Sequence, residues 1–302
     1  MKKDRSRDVF KIGLCMTGTI SAGAYTAGVM DYLLEALEEW QKRKDHNEIN
    51  SPSHQIEIVD MGGSSAGGMT AIIASAALEE ELKPVKKAAN QLNSRIQENR
   101  LYHNWVDLLQ DDMIDVLLDT KDITSYNFES LLNSYFIDQI SRRATFVKDV
   151  YSPNKKYISK NLRVFVTTSN LAGMHQKIHF DSNSEDFNKH SMSHHSDYTC
   201  FQKCNAASEY LNDGWIPLNF KKRINVDLAQ RAAMATGAFP IGLKARRISR
   251  NSKYMEENSW FDFISKTQDN PFKKSPYRSI NIDGGLINNE PFEKEKEALL
   301  SI

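Results

Sequence analysis

The residues of this 302-residue chain that are best suited to chemistry are a serine and the glycines around it. Residues 63–67 read Gly-Ser-Ser-Ala-Gly, and the glycine spacing makes Ser65, rather than Ser64, the centre of a Gly-x-Ser-x-Gly pattern. Between a strand and a helix, this pattern forms a tight turn that exposes the serine hydroxyl as a nucleophile for acyl transfer. Gly63 and Gly67 permit such a turn because neither carries a Cβ atom. Glycine and serine are also common in ordinary turns, so close strand–helix packing is the competing interpretation.

A nucleophilic serine needs a proton acceptor, and Asp283 is the best-placed carboxylate in the sequence. It follows the segment Ser279-Ile280-Asn281-Ile282, which is predicted as a strand, and precedes two glycines, which indicates the C-terminal end of that strand. All eight histidines precede Asp283, so the Ser–Asp–His order of the α/β-hydrolases is impossible with this aspartate as the acid. Asp283 would then serve directly as general base and afterwards as general acid. Two alternatives stay open: Asp283 caps a local turn, or His175 or His179 is the base.

A second glycine-containing turn offers backbone N–H groups to a developing oxyanion. Residues 17–23 follow an apolar, β-prone segment, Val9–Met16, and precede an amphipathic helix predicted from Ala24 to about Lys44. A turn of this kind beside a nucleophilic serine can form an oxyanion hole. Close packing of the strand against the helix explains the glycines of this turn equally well.

The elements that must position these residues alternate between strands and helices. An alternating apolar run from Ile56 leads into the serine turn, and the alanine-rich segment Met69–Leu78 predicts a buried helix behind it. The pattern further predicts a strand at 162–169 with a returning strand at 176–180, a helix at 226–236, and the strand before Asp283. This alternation predicts an α/β fold with a mostly parallel central sheet.

Two stretches are interpreted as lying outside this sheet, and no linker divides the chain. The polar residues 181–218 read as an irregular insertion loop, and residues 254–274 read as a surface excursion. Because no segment rich in proline, glycine and serine separates two halves, we expect a single domain over residues 1–302.

Composition limits the partners and the location. Lys+Arg and Asp+Glu both number 39, so no global field attracts nucleic acid or an anionic membrane, although local patches are compatible with this balance. Three cysteines are too few for a disulfide framework, and no apolar run is long enough to span a membrane. We therefore expect a cytoplasmic protein. Cys200 and Cys204 lie near His190, His194 and His195, but their loose spacing in polar surroundings disfavours a zinc site.

Three blocks of the sequence resemble those of the patatin-like phospholipase family. They are Gly63-Ser64-Ser65-Ala66-Gly67-Gly68, the segment Arg231–Pro240, and Asp283-Gly284-Gly285-Leu286-Ile287-Asn288-Asn289-Glu290-Pro291. Their order and separation also fit. The resemblance implies a three-layer α/β/α sandwich and a lipid acyl hydrolase of the phospholipase A type, with Ser65 as nucleophile and Asp283 as base. It further implies no metal or organic cofactor, a phospholipid or other acyl lipid as substrate, and peripheral membrane contact.

The first turn departs from the family pattern. The family usually has Gly-Gly-Gly-x-[Arg/Lys]-Gly there, whereas this chain has Gly18-Thr19-Ile20-Ser21-Ala22-Gly23. By position, Gly18, Thr19 and Ile20 are the candidate oxyanion donors, and losing one such donor typically costs ~10²–10³ in rate. A catalytically weak protein that binds lipid or a partner is therefore one alternative, and a soluble carboxylesterase or thioesterase is another. The chain ends within a helical pattern soon after Asp283, so we expect it to be truncated at its C-terminus.

Overall fold

The computed structural model describes residues 9–19, 23–85, 99–106, 113–123, 129–148, 154–177, 191–205 and 212–302. Within them, one sheet contains the strands β1 (Val9–Met16), β2 (Gln55–Gly63), β3 (Ile158–Lys177), β4 (Ser191–Lys203), β5 (Ile216–Leu218), β6 (Arg246–Arg250) and β7 (Tyr277–Asp283). The α-helices of the same residues are α1 (Gly23–Asp45), α2 (Ala66–Ala77), α3 (Arg100–Trp105), α4 (Met113–Leu117), α5 (Tyr135–Ala144), α6 (Val226–Thr236), α7 (Ser252–Glu257), α8 (Asp262–Ser265) and α9 (Phe292–Leu300).

The parallel part of the sheet is formed by β1, β2 and β3, which are neighbours in that order. On its other side β3 pairs with the antiparallel strand β4, which in turn pairs in parallel with β5. Residues 168–170, in the middle of β3, also pair with antiparallel β7, and β7 pairs with antiparallel β6. The predicted three-layer α/β/α sandwich with a mostly parallel central sheet is confirmed, with the antiparallel strands added around its centre.

Two apolar cores cover the two faces of the sheet. Val164 and Val166 on β3 belong to a core that includes residues of α1, α2 and α6, whereas Phe165 between them belongs to a second core with Trp260 and Ala298. Alternate residues of a strand face opposite sides of a sheet, so β3 contributes to both cores. The helices therefore form a layer on each face.

The prediction of an irregular insertion at 181–218 is wrong where the structure describes this segment. Residues 191–203 form the long strand β4, and 216–218 form β5, while 181–190 and 206–211 lie outside the described residues. The polar side chains concealed β4, because buried Asp197 is satisfied by an arginine from another strand, a contact that sequence patterning does not show.

The prediction of a surface excursion at 254–274 is also wrong. This segment contains buried aromatic side chains, among them Trp260, Phe261 and Phe272, which pack in the second core. They are spread over several short helices and turns, so no helical period longer than one or two turns marks them in the sequence.

The predicted hairpin at 162–180 is instead one strand where the structure describes it. β3 continues from Ile158 to Lys177, and its register against β4 shifts between Ser169 and Met174. The expected turn at 170–173 is therefore an irregularity within a long strand, and residues 178–180 lie outside the described part.

Candidate active site

Ser65 lies at the turn from β2 into α2. Because β2 ends at Gly63 and α2 begins at Ala66, only Ser64 and Ser65 connect them. Ser65 has φ 50° and ψ −124°, a conformation that costs a residue with a Cβ atom about 1–3 kcal/mol. The strand, tight turn and helix expected from the sequence are all present, and the strain is concentrated at the central serine.

Gly63 and Gly67 are needed because β1 passes close to the turn. A Cβ atom at Gly63 would lie 2.4 Å from the carbonyl oxygen of Met16, and one at Gly67 would lie 2.2 Å from it. The N–H of Ser64 donates to the same carbonyl across 3.2 Å. The sequence left two competing interpretations of these glycines, a tight turn and close packing of the strand. Both are correct, because the turn forms where β1 packs against it.

Asp283 reaches Ser65 because two strands end head to head along β3. Parallel β2 ends with Gly63 opposite Val166, and antiparallel β7 ends with Asp283 opposite Thr168. The two strands therefore run towards each other beside β3 and stop two of its residues apart. The register of β3 sets the separation between the serine turn and the aspartate.

The side chains of Ser65 and Asp283 are in direct contact. Ser65 Oγ donates to Asp283 Oδ2 across 3.0 Å, and the N–H of Gly285 donates to Asp283 Oδ1 across 2.7 Å. Burial raises the pKa of Asp283 above its ordinary value, whereas the hydrogen bonds from Gly285 and Ser65 oppose that rise. A buried carboxylate of raised pKa that accepts a serine hydroxyl has the geometry and basicity of a general base.

The last residue of α6 and the residues just after it bind the backbone N–H groups of both Ser65 and Asp283. Thr236 Oγ1 accepts a hydrogen bond from the N–H of Ser65 across 2.8 Å. Two residues later, the carbonyl of Ala238 accepts from the N–H of Asp283 across 3.0 Å. The block Arg231–Pro240, which resembles the family in sequence, thus connects the block around Ser65 to the block that begins at Asp283.

A buried ion pair fixes β7 on β3. Arg250 donates two hydrogen bonds of 2.7 Å to the carboxylate of Asp197, and the two side chains are 1% and 0% exposed. Asn281 Nδ2 donates to Asp197 across 2.9 Å and to Thr168 Oγ1 across 2.8 Å. Since Asn281 precedes Asp283 by two residues on the same strand, this network sets the register that carries the aspartate.

The first turn offers fewer oxyanion donors than its position suggested. The N–H of Gly18 donates to the carbonyl of Asn289 across 3.1 Å, so Gly18 is not free to act as predicted. Asn289 Nδ2 in turn donates to the carbonyl of Gly18 across 3.1 Å. Among the described residues, the N–H of Thr19 has no acceptor, and its buried hydroxyl has no partner either. Ile20, the third predicted donor, lies outside the described residues.

Ala66 is a further N–H donor at the site. It is the residue after Ser65 and the first of α2, and within the described part of the chain its N–H donates to no other group. The first N–H groups of a helix have no intrahelical acceptor, and the residue after a nucleophilic serine commonly supplies an oxyanion donor. Ala66 was not among the oxyanion donors predicted from the sequence, although its place directly after the serine of the Gly-x-Ser-x-Gly pattern marks it.

An apolar cavity of about 550 Å³ opens beside Ser65 and Asp283. Five α-helices, α2 to α6, contribute to its walls. Its apolar side chains include those of Met69, Ile72, Ile73, Trp105, Leu117, Phe136, Ile137, Ile140, Met234 and Leu243. The cavity is of a size and character suited to an apolar chain attached to the reacting group.

The histidine alternative has no geometric support among the described residues. His175 Nδ1 is hydrogen-bonded to Ser193 Oγ at 2.8 Å, on the far part of the β3–β4 pair, and the hydroxyl of Ser65 contacts no histidine that the structure describes. His179 lies outside the described residues.

Cys200, one of the two cysteines near the histidines, is a packing residue. Cys200 belongs to the second apolar core, and burial raises the pKa of its thiol. His194 and His195 are hydrogen-bonded to Gln176 and to the carbonyl of Asn170. Across the described ranges, no three His, Cys, Asp or Glu side chains are grouped as a metal site would require. His190 lies outside those ranges.

A serine at a strand-to-helix turn of an α/β sheet is the arrangement of serine acyl hydrolases. The Patatin-like phospholipase family model matches residues 14–294, so this chain belongs to the patatin-like phospholipase family, whose members are lipid acyl hydrolases as a class. Among its relatives is an uncharacterized protein, y4iI, of Sinorhizobium fredii, which is 30% identical over 96% of this chain. The alignment covers 46% of that relative, so the chain spans about half of its length. None of the helices that the structure describes is long and apolar enough to cross a membrane.

Proposed function

We propose that this protein hydrolyses acyl esters of phospholipids or related lipids with a Ser65–Asp283 dyad. The observation that carries the proposal is the 3.0 Å hydrogen bond from Ser65 Oγ to Asp283 Oδ2 beside the apolar cavity. Family membership supports the lipid substrate, and the direct contact between the serine hydroxyl and the carboxylate supports Asp283 as the base.

The proposed reaction has two halves. Asp283 takes the proton of the Ser65 hydroxyl while Oγ attacks the acyl carbonyl, and the protonated Asp283 then gives this proton to the leaving alcohol. A water molecule, deprotonated by Asp283, attacks the acyl-serine and releases the fatty acid, and the proton returns to Ser65. We assign the oxyanion to the N–H groups of Thr19 and Ala66, with Ile20 retained as a candidate from its position in the sequence.

The substrate follows from the walls of the cavity. An acyl chain fits a cavity whose walls are mostly apolar, and the ester would lie at its polar end beside Ser65. Phospholipids are presented in bilayers, so peripheral contact with a membrane is part of the proposal. A cytoplasmic location is also proposed, supported by the low cysteine content of the chain.

A second candidate is a protein of this fold that binds lipid or a partner with little turnover. The observation in its favour is the occupied N–H of Gly18, which removes one donor from the first turn. A third candidate is a carboxylesterase or thioesterase that acts on dispersed substrates. Comparing turnover of a short-chain ester with turnover of micellar phospholipid separates these candidates.

The neighbouring serine provides a matched test. We expect a fluorophosphonate probe to label the wild type and the Ser64→Ala variant but not the Ser65→Ala variant. The hydroxyl of Ser64 is buried and has no hydrogen-bond partner in the described part of the chain, so its removal leaves the turn intact. Ester hydrolysis should fall ~10⁴-fold or more in Ser65→Ala and Asp283→Asn, as when members of other catalytic units are removed. Equal labelling of Ser65→Ala and the wild type would refute the proposal.

A further inference from the structure

The mouth of the cavity carries apolar side chains that the proposed chemistry does not use. Two segments of the mouth are joined by backbone hydrogen bonds from Leu131 N to Ile241 O (2.8 Å) and from Leu132 N to Gly242 O (2.9 Å). Leu132 and Gly242 line the cavity, whereas Leu131 and Ile241 do not and are 60% and 75% exposed. The two segments therefore present apolar groups to solvent as well as to the cavity.

Helix α4 extends the same surface. The N–H of Asn133 donates to the carbonyl of Leu117 across 2.8 Å, which ties the end of α4 to the segment that contains Leu131. Leu117 lines the cavity, while Ile114 and Leu118 are exposed. We call the exposed apolar group around the mouth the apolar rim, and it consists of Ile114, Leu118, Leu131, Phe239 and Ile241. Clustered apolar exposure of this kind marks an interaction surface more often than scattered single residues do.

The backbone at Ile241 is strained in a way that projects its side chain outward. Ile241 has φ 68°, and the N–H of Gly242 donates to the carbonyl of Pro240 across 2.7 Å, which makes Ile241 the centre of a γ-turn with positive φ. This turn is rare, and a β-branched residue is poorly suited to it. A glycine or asparagine would adopt the turn more readily, so the fold keeps an exposed isoleucine where it costs stability.

A groove lined by exposed arginines adjoins the cavity on this side. Its volume is about 830 Å³, and Ser141, Gln230, Met234, Lys244 and Arg246 line both the groove and the cavity. Four exposed arginines line it as well: Arg142, Arg223, Arg231 and Arg247. We call these four residues the arginine groove.

The acidic residues of the groove leave its positive charge in excess. Lys244 is paired with Glu129, and Arg246 is paired with Asp138. None of the four arginines has an ion-pair partner among the described residues, and Asp227 is the remaining acid of the lining. The chain has equal numbers of acidic and basic residues, so this excess is a local feature.

From this juxtaposition we infer that the mouth of the cavity binds an anionic lipid surface. The apolar rim, with Ile241 as its most exposed residue, enters the boundary between the headgroups and the acyl chains of the bilayer. The arginine groove contacts phosphate groups of the lipid heads. The inference rests on the proposed function, because it names the surface on which the same site meets its substrate. A second copy of this chain fits less well, since a symmetric contact would bring one set of arginines against the other.

The test uses the full chain with Ser65→Ala, so that hydrolysis does not alter the lipid. Binding is measured by flotation with two kinds of vesicle. One kind contains phosphatidylcholine alone, and the other also contains about 30% phosphatidylglycerol, which is on the order of the anionic lipid content of natural membranes. We expect binding to the anionic vesicles, weakened by salt and reduced about fivefold by each of Arg231→Gln and Arg247→Gln. Equal binding to both vesicle types would overturn the electrostatic part of the inference.

Ile241→Asn tests the apolar part, with Ile49→Asn as the matched control. Asparagine accepts positive φ, so the melting temperature of Ile241→Asn should equal or exceed that of the parent, while vesicle affinity falls tenfold or more. Ile49 is 98% exposed before β2, at the other end of that strand from Ser65, and its replacement should leave affinity unchanged. Equal affinities of the two variants would overturn the inference. So would a lipid-free dimer, seen by light scattering, that Ile241→Asn dissociates.

Failure of this inference can be told from failure of the proposed function. Hydrolysis of a dispersed short-chain ester by the chain with Ser65 intact reports on the dyad alone. Ester hydrolysis without rim-dependent vesicle binding refutes the membrane surface and leaves the dyad. Rim-dependent binding without any hydrolysis refutes the dyad and leaves the surface.

Discussion

The two halves of the candidate active site are held by different kinds of contact. On the nucleophile–base half, Ser65 and Asp283 are bonded through their backbones to residues 236–238, and the strand register places them together. On the oxyanion half, Gly18 exchanges two hydrogen bonds with the exposed Asn289, which precedes helix α9. The first half is tied to the centre of the sheet, whereas the second depends on a surface loop.

The two halves also differ in how well their buried carboxyl groups are paired. The carboxylate of Asp197 below the base is fully paired with Arg250 and Asn281. Where α9 packs on β1 and β2, Glu295 of α9 and Asp60 of β2 are both buried, and neither carboxyl group accepts a hydrogen bond of normal geometry among the described residues. Burial raises the pKa of Asp60 well above its ordinary value and that of Glu295 to about 7, although N–H groups of β1 and β2 lie near enough to oppose the rise.

This difference matches the chemical demands on each half. Proton transfer between a hydroxyl and a carboxylate requires a fixed distance, which a strand register and a satisfied ion pair provide. Oxyanion donors act by position as well, but the turn that carries Thr19 is anchored by two hydrogen bonds of 3.1 Å to the surface residue Asn289. The sequence resembles the family closely in the blocks of the first half and departs from it at the turn of the second.

The largest expected effect concerns the anchor of the nucleophile–base half. Replacing Arg250 by methionine leaves Asp197 buried without its charge partner, so the free energy of unfolding should fall by about 3–5 kcal/mol. Chemical denaturation followed by circular dichroism measures this change.

A surface ion pair provides the control for Arg250. Lys156 and Asp45 form an ion pair of 2.6 Å with both side chains about half exposed, so Lys156→Met should change the free energy of unfolding far less than Arg250→Met. Adding Asp197→Leu to Arg250→Met should restore part of the stability, because the unpaired buried charge is removed. A loss no larger for Arg250→Met than for Lys156→Met would contradict the anchoring role.

An intermediate effect is expected on the oxyanion half. Asn289→Ala removes the hydrogen bond to the carbonyl of Gly18, so kcat should fall about 10- to 100-fold through misplacement of the turn, while KM stays within about threefold. The free energy of unfolding should change by only about 1 kcal/mol, as for a single exposed hydrogen bond. Steady-state kinetics on a dispersed ester measures the first effect.

The neighbouring Glu290 serves as the control for Asn289. Its side chain is exposed in the same loop, and Glu290→Ala should leave kcat within twofold. If Asn289→Ala changes stability by several kcal/mol and kcat hardly at all, the loop is a structural element and the comparison between the two halves fails.

The smallest expected effect is the pH dependence of α9. Because the pKa of folded Glu295 lies above the ordinary value, the folded chain holds a proton that the unfolded chain releases at neutral pH. The stabilisation from this group is complete below the ordinary pKa and is lost as pH rises through about 7. Glu295→Gln should therefore raise the free energy of unfolding by about 1 kcal/mol at pH 8 and change it little at pH 5.

The exposed Glu297 on the same helix is the control for Glu295. It is paired with Lys294 at 2.8 Å and is about half exposed, so Glu297→Gln should have a small effect that does not depend on pH. Equal pH profiles for the two variants would show that burial of Glu295 does not influence the stability of α9.

Local patterns in the sequence were sufficient for the serine turn and for most of the elements around it. The Gly-x-Ser-x-Gly spacing predicted a strand–turn–helix at residues 63–67, and the small-residue pattern predicted α6 at its observed bounds, Val226–Thr236. The end of β7 at Asp283 was predicted from an apolar run followed by glycines. These signals depend on neighbours within a few residues, where backbone conformation and period are encoded.

The tertiary structure alone decided how these pieces meet. The contact between Ser65 and Asp283 joins residues 218 positions apart, and it exists because β2 and β7 approach each other along β3. The N–H of Gly18 is likewise occupied by a residue far along the chain, Asn289. The strand β4 was not predicted because the partner of its buried aspartate lies on another strand. Register and buried pairing are set by contacts between distant segments, so a pattern read along the chain does not contain them.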